Sequence, residues 1–407
     1  MYGRVFTLSW FGFLIAFWSW YAFPPLLTIT IKYDLGLTQT DVSNSNIISL
    51  VATLLVRLVA GTACDRFGPR WTFAGCLIAG AIPTALAGAV TNVRGLLALR
   101  FFVGILGGTF VPCQVWTTAF FDKDVVGTAN AFTAGLGNAG GGITYFVMPA
   151  IFDSLVSRQH LTPHVAWRVA FVVPFILIVA TAIVILVACP DTPTGKWSER
   201  GVAVHHNVVR TTDVVHAEPS AQGGDAKTPV ELDGSGSGSQ PASKEASTDL
   251  PSVERATIGQ AEGEVIELPT LRSSIRVMLS PHTLVLGAAY FCSFGAELSI
   301  NSILGAYYLV NFPKLGQTGT GDWAAMFGLL NAVCRPTGGI VSDALFRPRR
   351  SLWAKKMLIH LLAMVTGAFM LAIGLKNSHT QSTMFGLVAG MAFFLEAGNG
   401  ANFSLEL

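Results

Sequence analysis

The chain has 407 residues, of which 51% are hydrophobic and only 12% charged, and its mean hydropathy is +0.54. A soluble protein carries about 25% charged residues, so this composition excludes an ordinary soluble domain. The formal net charge of +2 says nothing about partners, and no nucleic-acid partner is expected.

The apolar residues gather into stretches of the length that crosses a roughly 30 Å hydrocarbon core. Taken in chain order they lie at approximately 5–30, 44–64, 72–91, 95–118, 127–152, 168–189, 282–308, 321–344, 354–375 and 382–405. The fold class is therefore an all-α membrane protein. The first segment begins almost at Met1, outruns a signal-peptide core and has no small-residue cleavage site, so it reads as a retained helix.

Between the sixth and seventh segments the pattern breaks. The stretch DGSGSGSQPASKEASTD is too polar to bury, and residues 191–281 are expected to be a largely disordered linker. The chain thus divides into an N-terminal lobe of six segments over 1–190, the linker over 191–281 and a C-terminal lobe of four segments over 282–407. All six cysteines, Cys64, Cys76, Cys113, Cys189, Cys292 and Cys334, fall in or at the ends of apolar segments without ligand-like spacing. Buried thiols are expected there, with no metal site and no disulfide.

Basic residues gather on alternate connections. Arg66 and Arg70 follow the second segment, Lys196, Arg200 and Arg210 the sixth, and Arg347, Arg349, Arg350, Lys355 and Lys356 the eighth. The opposite connections hold fewer, among them Lys32, Arg94, Arg158, Lys314 and Lys376. The positive-inside rule then puts the first set, the N-terminus and the linker in the cytoplasm.

Two arginines interrupt apolar segments and are followed by one spaced pattern: Arg57-x3-Gly61-x3-Asp65 in the second, Arg335-x3-Gly339-x3-Asp343 in the eighth. An arginine at the centre of a membrane helix costs about 2.5–3.5 kcal/mol on insertion scales. Residues i, i+4 and i+8 drift by only about 80° around a helix and rise about 12 Å. Each arginine then sits near mid-depth while its aspartate reaches the cytoplasmic rim. Both copies run the same way, as parallel repeats require, which suggests a duplicated carrier with an anion site on its midline. Without the repeat, each arginine would equally suit a structural role on backbone carbonyls.

Gly61-Thr-Ala-Cys-Asp65-Arg66-Phe-Gly68-Pro-Arg70 resembles the loop 2–3 signature of the major facilitator superfamily, and Arg100 in LRFFVGILGG resembles its helix 4 motif. AGLGNAGGGIT, residues 134–144, resembles the nitrate signature of the nitrate/nitrite porter family. Further stretches, including NSNIISLVATLLVRL, GTFVPCQVW, TYFVMPAIFDSL and YFCSFGAELSINSILG, extend the likeness over nearly the whole chain except the linker. Together they are similar to the high-affinity nitrate transporters of filamentous fungi.

The resemblance implies the major facilitator fold, with six N-terminal helices and four of an expected six C-terminal ones, hence a C-terminally truncated member. It places the substrate contacts on Arg57, Arg335, Asn138, Tyr290, Phe294 and Phe17. The glycines Gly135, Gly137, Gly140, Gly141 and Gly142 become a smooth surface on which the fifth helix slides against the other half. Asp65, Arg66, Arg70 and Asp343 belong to a cytoplasmic gate, and Glu297 and Glu396 are open between proton carriage and a plain interhelical contact.

The implied activity is proton-coupled nitrate uptake across the plasma membrane, with nitrate, protons and lipid as partners and no cofactor, metal or enzymatic step. Nitrite transport, nitrate/nitrite exchange, and a non-transporting truncated product or sensor are the alternatives. Guanidinium suits nitrate because both are planar and the arginine fork meets an oxyanion in its own plane. Two such charges facing each other would resist closing until an anion lies between them.

Overall fold

The computed structural model describes residues 2–121, 125–193, 195–199, 271–346 and 352–403. Most of the expected linker, together with Arg200, Arg210, Arg347, Arg349 and Arg350, lies outside the described residues. Ten helices among those described are long and apolar enough to cross a membrane. They are α1 (Tyr2–Leu27), α2 (Gln39–Phe67), α3 (Pro69–Ala89), α4 (Val93–Phe120), α5 (Val126–Ser157), α6 (Pro163–Ala188), α7 (Pro281–Asn311), α8 (Pro313–Phe346), α9 (Leu352–Lys376) and α10 (Gln381–Phe403).

Local chemistry sets several of the ends. At the start of α2, Thr38 Oγ1 accepts from the Asp41 backbone N–H at 3.2 Å while Asp41 Oδ2 accepts from the Thr38 N–H at 2.9 Å. This reciprocal box satisfies two donors that a helix start leaves open. Asn92 caps α4 through the Gly95 N–H at 2.8 Å, and Ser280 caps α7 just ahead of Pro281. The tight corner from α2 to α3 turns on Gly68, whose φ of +88° only glycine adopts without strain, and Pro69 then opens α3.

Two hydrophobic cores form between the helices. In the N-terminal lobe Phe13, Phe17, Phe73, Trp116, Trp167 and Ile178 are buried together. In the C-terminal lobe Leu304, Tyr308, Phe327, Met384 and Val388 form a second core, which Tyr145 of α5 joins. Apolar residues elsewhere face outward, among them Leu54 and Leu58 on α2 and Met364, Leu371 and Leu375 on α9. Such a surface is compatible with lipid and not with water. Cys292 departs from the expected burial of the thiols: it is exposed, while the other five are buried.

α5 and α8 run antiparallel between the lobes and are tied at both ends. Thr128 donates to Asp343 Oδ2 at 3.1 Å, and Thr318 donates to Asp153 Oδ2 at 2.9 Å. Close backbone approach is possible because Gly135 and Gly142 of α5 and Gly328 of α8 face the seam. A β-carbon at Gly142 would fall 2.5 Å from the Leu329 nitrogen, and one at Gly135 would fall 2.6 Å from the Asn331 carbonyl oxygen.

A polar knot fixes the connection after α1. Asp34 accepts from Trp167 Nε1 at 3.0 Å and Arg168 Nη1 at 2.9 Å, and lies 2.6 Å from His164 Nδ1. Arg168 Nη2 also donates to the Val90 carbonyl at 2.8 Å. Burial pushes the Asp34 carboxyl up, but the bonds from Trp167, His164 and Arg168 outweigh it and hold it below the ordinary value. A depressed carboxylate stabilises the fold above its unfolded-state pKa, and that contribution fades as pH falls through the folded-state value. Asp34→Asn is therefore expected to lower the thermal midpoint at neutral pH, by about 1–2 °C per kcal/mol lost. The gap should close at acid pH, and thermal unfolding in detergent at several pH values checks it.

Candidate anion-binding site

The site forms where α2, α4, α7, α8 and α10 converge on the ring of Phe294. The Arg57 guanidinium carbon lies 5.4 Å from the Phe294 ring centroid and that of Arg335 lies 5.6 Å from it. The two arginines of the repeated pattern thus meet over one aromatic ring. Tyr290, one turn earlier on α7, stacks on Phe294 with centroids 5.1 Å apart and planes 10° from parallel.

Phe110 of α4 is a member that spacing alone did not single out. Its ring lies 5.0 Å from the Arg57 guanidinium carbon and 6.5 Å from Phe294, nearly parallel to it. Phe403 of α10 borders Phe110 and Tyr290 at 6.1 and 6.0 Å. Aromatic faces within about 6 Å of a guanidinium attract it while presenting no acceptor to it.

The two arginines differ in what holds them. Arg335 is fully buried, and its Nη2 donates to Glu297 Oε2 and, at 3.1 Å, to Glu396 Oε2. Glu297 accepts two more bonds, from Asn331 Nδ2 at 3.0 Å and Asn399 Nδ2 at 2.8 Å. Arg57 donates through Nε to the Gly107 carbonyl at 3.1 Å, and no carboxylate among the described residues pairs with it. Three guanidinium nitrogens remain buried without a protein acceptor: Arg57 Nη2, Arg335 Nε and Arg335 Nη1.

This geometry corrects the expectation of two bare positive charges repelling across the site. Two buried carboxylates already sit on Arg335, so its charge is compensated inside the C-terminal lobe. The reason is helix placement: Glu297 on α7 and Glu396 on α10 both turn inward onto α8. The two glutamates, open between two readings on sequence grounds, form one unit with the arginine.

Other expected members make contacts of their own. Asn138 is buried, yet its Nδ2 donates at 2.8 Å to the Ala134 carbonyl of its own helix. Phe17 packs against Phe13, Trp20 and Tyr21 inside the N-terminal core. The five α5 glycines do not share one face. Gly135 and Gly142, seven residues apart, meet α8, whereas Gly137, Gly140 and Gly141 lie against Phe13, Leu14 and Tyr21 of α1. Seven residues are two helical turns, so only the first pair, with Gly328 answering from α8, lies on the seam between the lobes.

The expected gate residues also separate. Asp343 joins α5 through Thr128 and α9 through Lys355 Nζ at 3.1 Å. Arg70 instead ties α3 to the end of α6, with Nη1 donating to the Cys189 carbonyl at 2.6 Å and Nε 2.6 Å from Asp191. Arg66 is exposed and lies over Phe67, and Asp65 is half-buried beside it.

Ten membrane-crossing helices around a buried cluster of arginines and glutamates define a multi-pass helical membrane protein. The family model described as Major Facilitator Superfamily matches residues 9–406, and the chain belongs to that superfamily of transporters. The chain is 34% identical over 416 residues to elsinochrome transporter 1 of Elsinoe fawcettii, spanning 99% of this chain and 81% of that protein. It is 32% identical over 408 residues to high affinity nitrate transporter 2.5 of Arabidopsis thaliana, spanning 99% of this chain and 67% of that one. Among solved structures, a bacterial homolog of the human lysosomal transporter Spinster superposes with a TM-score of 0.60 at 14% identity, covering 99% of this chain and 74% of that one. That likeness is one of fold.

Proposed function

We propose that the chain carries nitrate across the plasma membrane by alternating access, holding it between Arg57 and Arg335. The observation that supports this most is the set of three buried guanidinium nitrogens without a protein acceptor, gathered around Phe294. A buried donor left unmet carries a desolvation penalty of about 1–3 kcal/mol, more when charged, and a small oxyanion between the arginines would relieve Arg57 Nη2 and one of the two on Arg335. The named activity of the Arabidopsis relative and the helix 5 signature point to nitrate among such anions.

Flat rings suit a flat anion. Phe294, Tyr290 and Phe110 would border its plane while the arginine forks meet its edge, leaving no depth for tetrahedral sulfate or phosphate. The lobes 1–190 and 282–407 would rock about this site, with the linker 191–281 and the N-terminus in the cytoplasm. Proton coupling fits the energetics: uptake of an anion against an inside-negative potential needs more than one proton per nitrate to be electrogenic inward.

Labelled nitrate uptake into proteoliposomes of the full chain tests the reading. Nitrate is expected to accumulate under an inward proton gradient, with competition by nitrite and none by sulfate or phosphate. Uptake no greater than in protein-free vesicles would overturn it. A second reading, an organic cargo, is favoured by the 34% identity to the elsinochrome transporter; competition of nitrate uptake by elsinochrome would favour that reading.

A further inference from the structure

The buried acids on Arg335 are unequal. Glu297 accepts three donors, from Arg335, Asn331 and Asn399. Glu396 is as deeply buried but accepts one, the 3.1 Å bond from Arg335 Nη2, and its Oε1 meets no donor. One guanidinium nitrogen therefore serves two carboxylates, and only one of them is otherwise supported.

Charge balance gives this inequality a use. With both glutamates ionised, Arg57, Arg335, Glu297 and Glu396 sum to zero. A bound monovalent anion then leaves one uncompensated negative charge in a site shielded from water, a costly state. One proton restores neutrality.

We infer that Glu396 takes up a proton together with the bound anion, while Glu297 remains the fixed partner of Arg335. This inference rests on the nitrate reading and names one carrier of the protons that reading needs. The carboxylate of Glu396 becomes a carboxylic acid, its hold on Arg335 Nη2 weakens, and the excess positive charge passes to the anion. Release on the other side runs in reverse, with the proton leaving as the anion goes. The titratable and charged groups facing Glu396 are Glu297 of α7, Arg335 and Cys334 of α8 and Tyr21 of α1. Neither the thiol nor the phenol is ionised at neutral pH under ordinary circumstances, so the carboxyl is the group that exchanges a proton.

The test is nitrate affinity of the purified full chain by calorimetry from about pH 5.5 to about pH 9. Wild-type affinity should fall by up to about tenfold per pH unit on the alkaline side of the titration. Heats in buffers of different ionisation enthalpy should report about one proton taken up per nitrate there. Glu396→Gln should flatten the pH dependence, and Glu396→Asp should keep it with a shifted midpoint. A wild-type profile flat over the whole range, or a slope that survives in Glu396→Gln, would overturn the inference while leaving nitrate binding intact. If the glutamine variant does not fold, an aspartate variant whose midpoint stays at the wild-type position overturns it instead. Absence of nitrate binding at every pH would remove the nitrate reading and this inference with it.

Discussion

Arg335→Lys is expected to cut nitrate uptake sharply, with affinity falling about ten- to a hundredfold at unchanged surface expression. Lysine keeps the charge but offers a point donor on a flexible stem in place of a planar fork. Glu297 and Glu396 would draw that ammonium toward themselves, since both already share one nitrogen of the native side chain. The two donors that face no protein acceptor, Nε and Nη1, have no counterpart in lysine. The one that meets nitrate is a charge-assisted hydrogen bond of about 1.5–3 kcal/mol, which corresponds to about ten- to a hundredfold in affinity.

The matching change at Arg57 separates substrate contact from structural support. Arg57→Lys disturbs no ion pair among the described residues, and its lost Gly107 bond is a single one. It should therefore leave thermal stability close to wild type while nitrate affinity falls about tenfold or more, for one lost charge-assisted bond. Binding and melting measurements on both variants, read together, decide it. Wild-type affinity in Arg57→Lys would remove that arginine from the site.

The second large effect is expected at the seam between the lobes. Gly142→Val places a β-carbon 2.5 Å from the Leu329 nitrogen and 2.7 Å from the Ala325 carbonyl oxygen. Both obstacles are backbone, so no side chain can rotate aside, and α5 must move away from α8. Uptake should be lost, and spin labels at the two helices' ends should report a longer separation than in wild type. Gly367→Ala on α9 is the control, because a β-carbon there meets nothing within 4 Å; its uptake should equal wild type. Normal uptake by Gly142→Val would remove the requirement for a tight α5–α8 seam.

Much of this was legible in the amino-acid order. Membrane helices are written in runs of apolar residues, and the ten expected segments correspond to α1–α10 with ends shifted by caps such as Thr38, Asn92 and Ser280. Burying charge is costly enough that Arg57 and Arg335 stand out without any structure. Another buried arginine, Arg100, shows the limit of that signal. It donates to the Trp20 carbonyl at 3.2 Å and Asn46 Oδ1 at 2.8 Å, which makes it a brace between α1, α2 and α4.

Partners across helices were not legible, because nothing in a linear pattern says which faces of α7 and α10 turn toward α8. Glu297 and Glu396 were visible as costly residues, but their meeting on Arg335 depends on packing. Phe110 lies in a helix rich in aromatic residues and carried no distinguishing signal. Helical periodicity does contain part of what was missed. Asn331 lies four residues before Arg335 and Asn399 three after Glu396, spacings that put each pair on one helix face. The same periodicity separates Gly135 and Gly142 from Gly137 and Gly141, two faces that composition alone merges into one smooth surface.

A structure of the full chain determined with nitrate bound tests the central claim most directly. Nitrate oxygens are expected within hydrogen-bonding distance of Arg57 Nη2 and of Arg335 Nε or Nη1, with the anion's plane against the Phe294 ring. Nitrate seated elsewhere, with those three nitrogens met by protein groups, would contradict it.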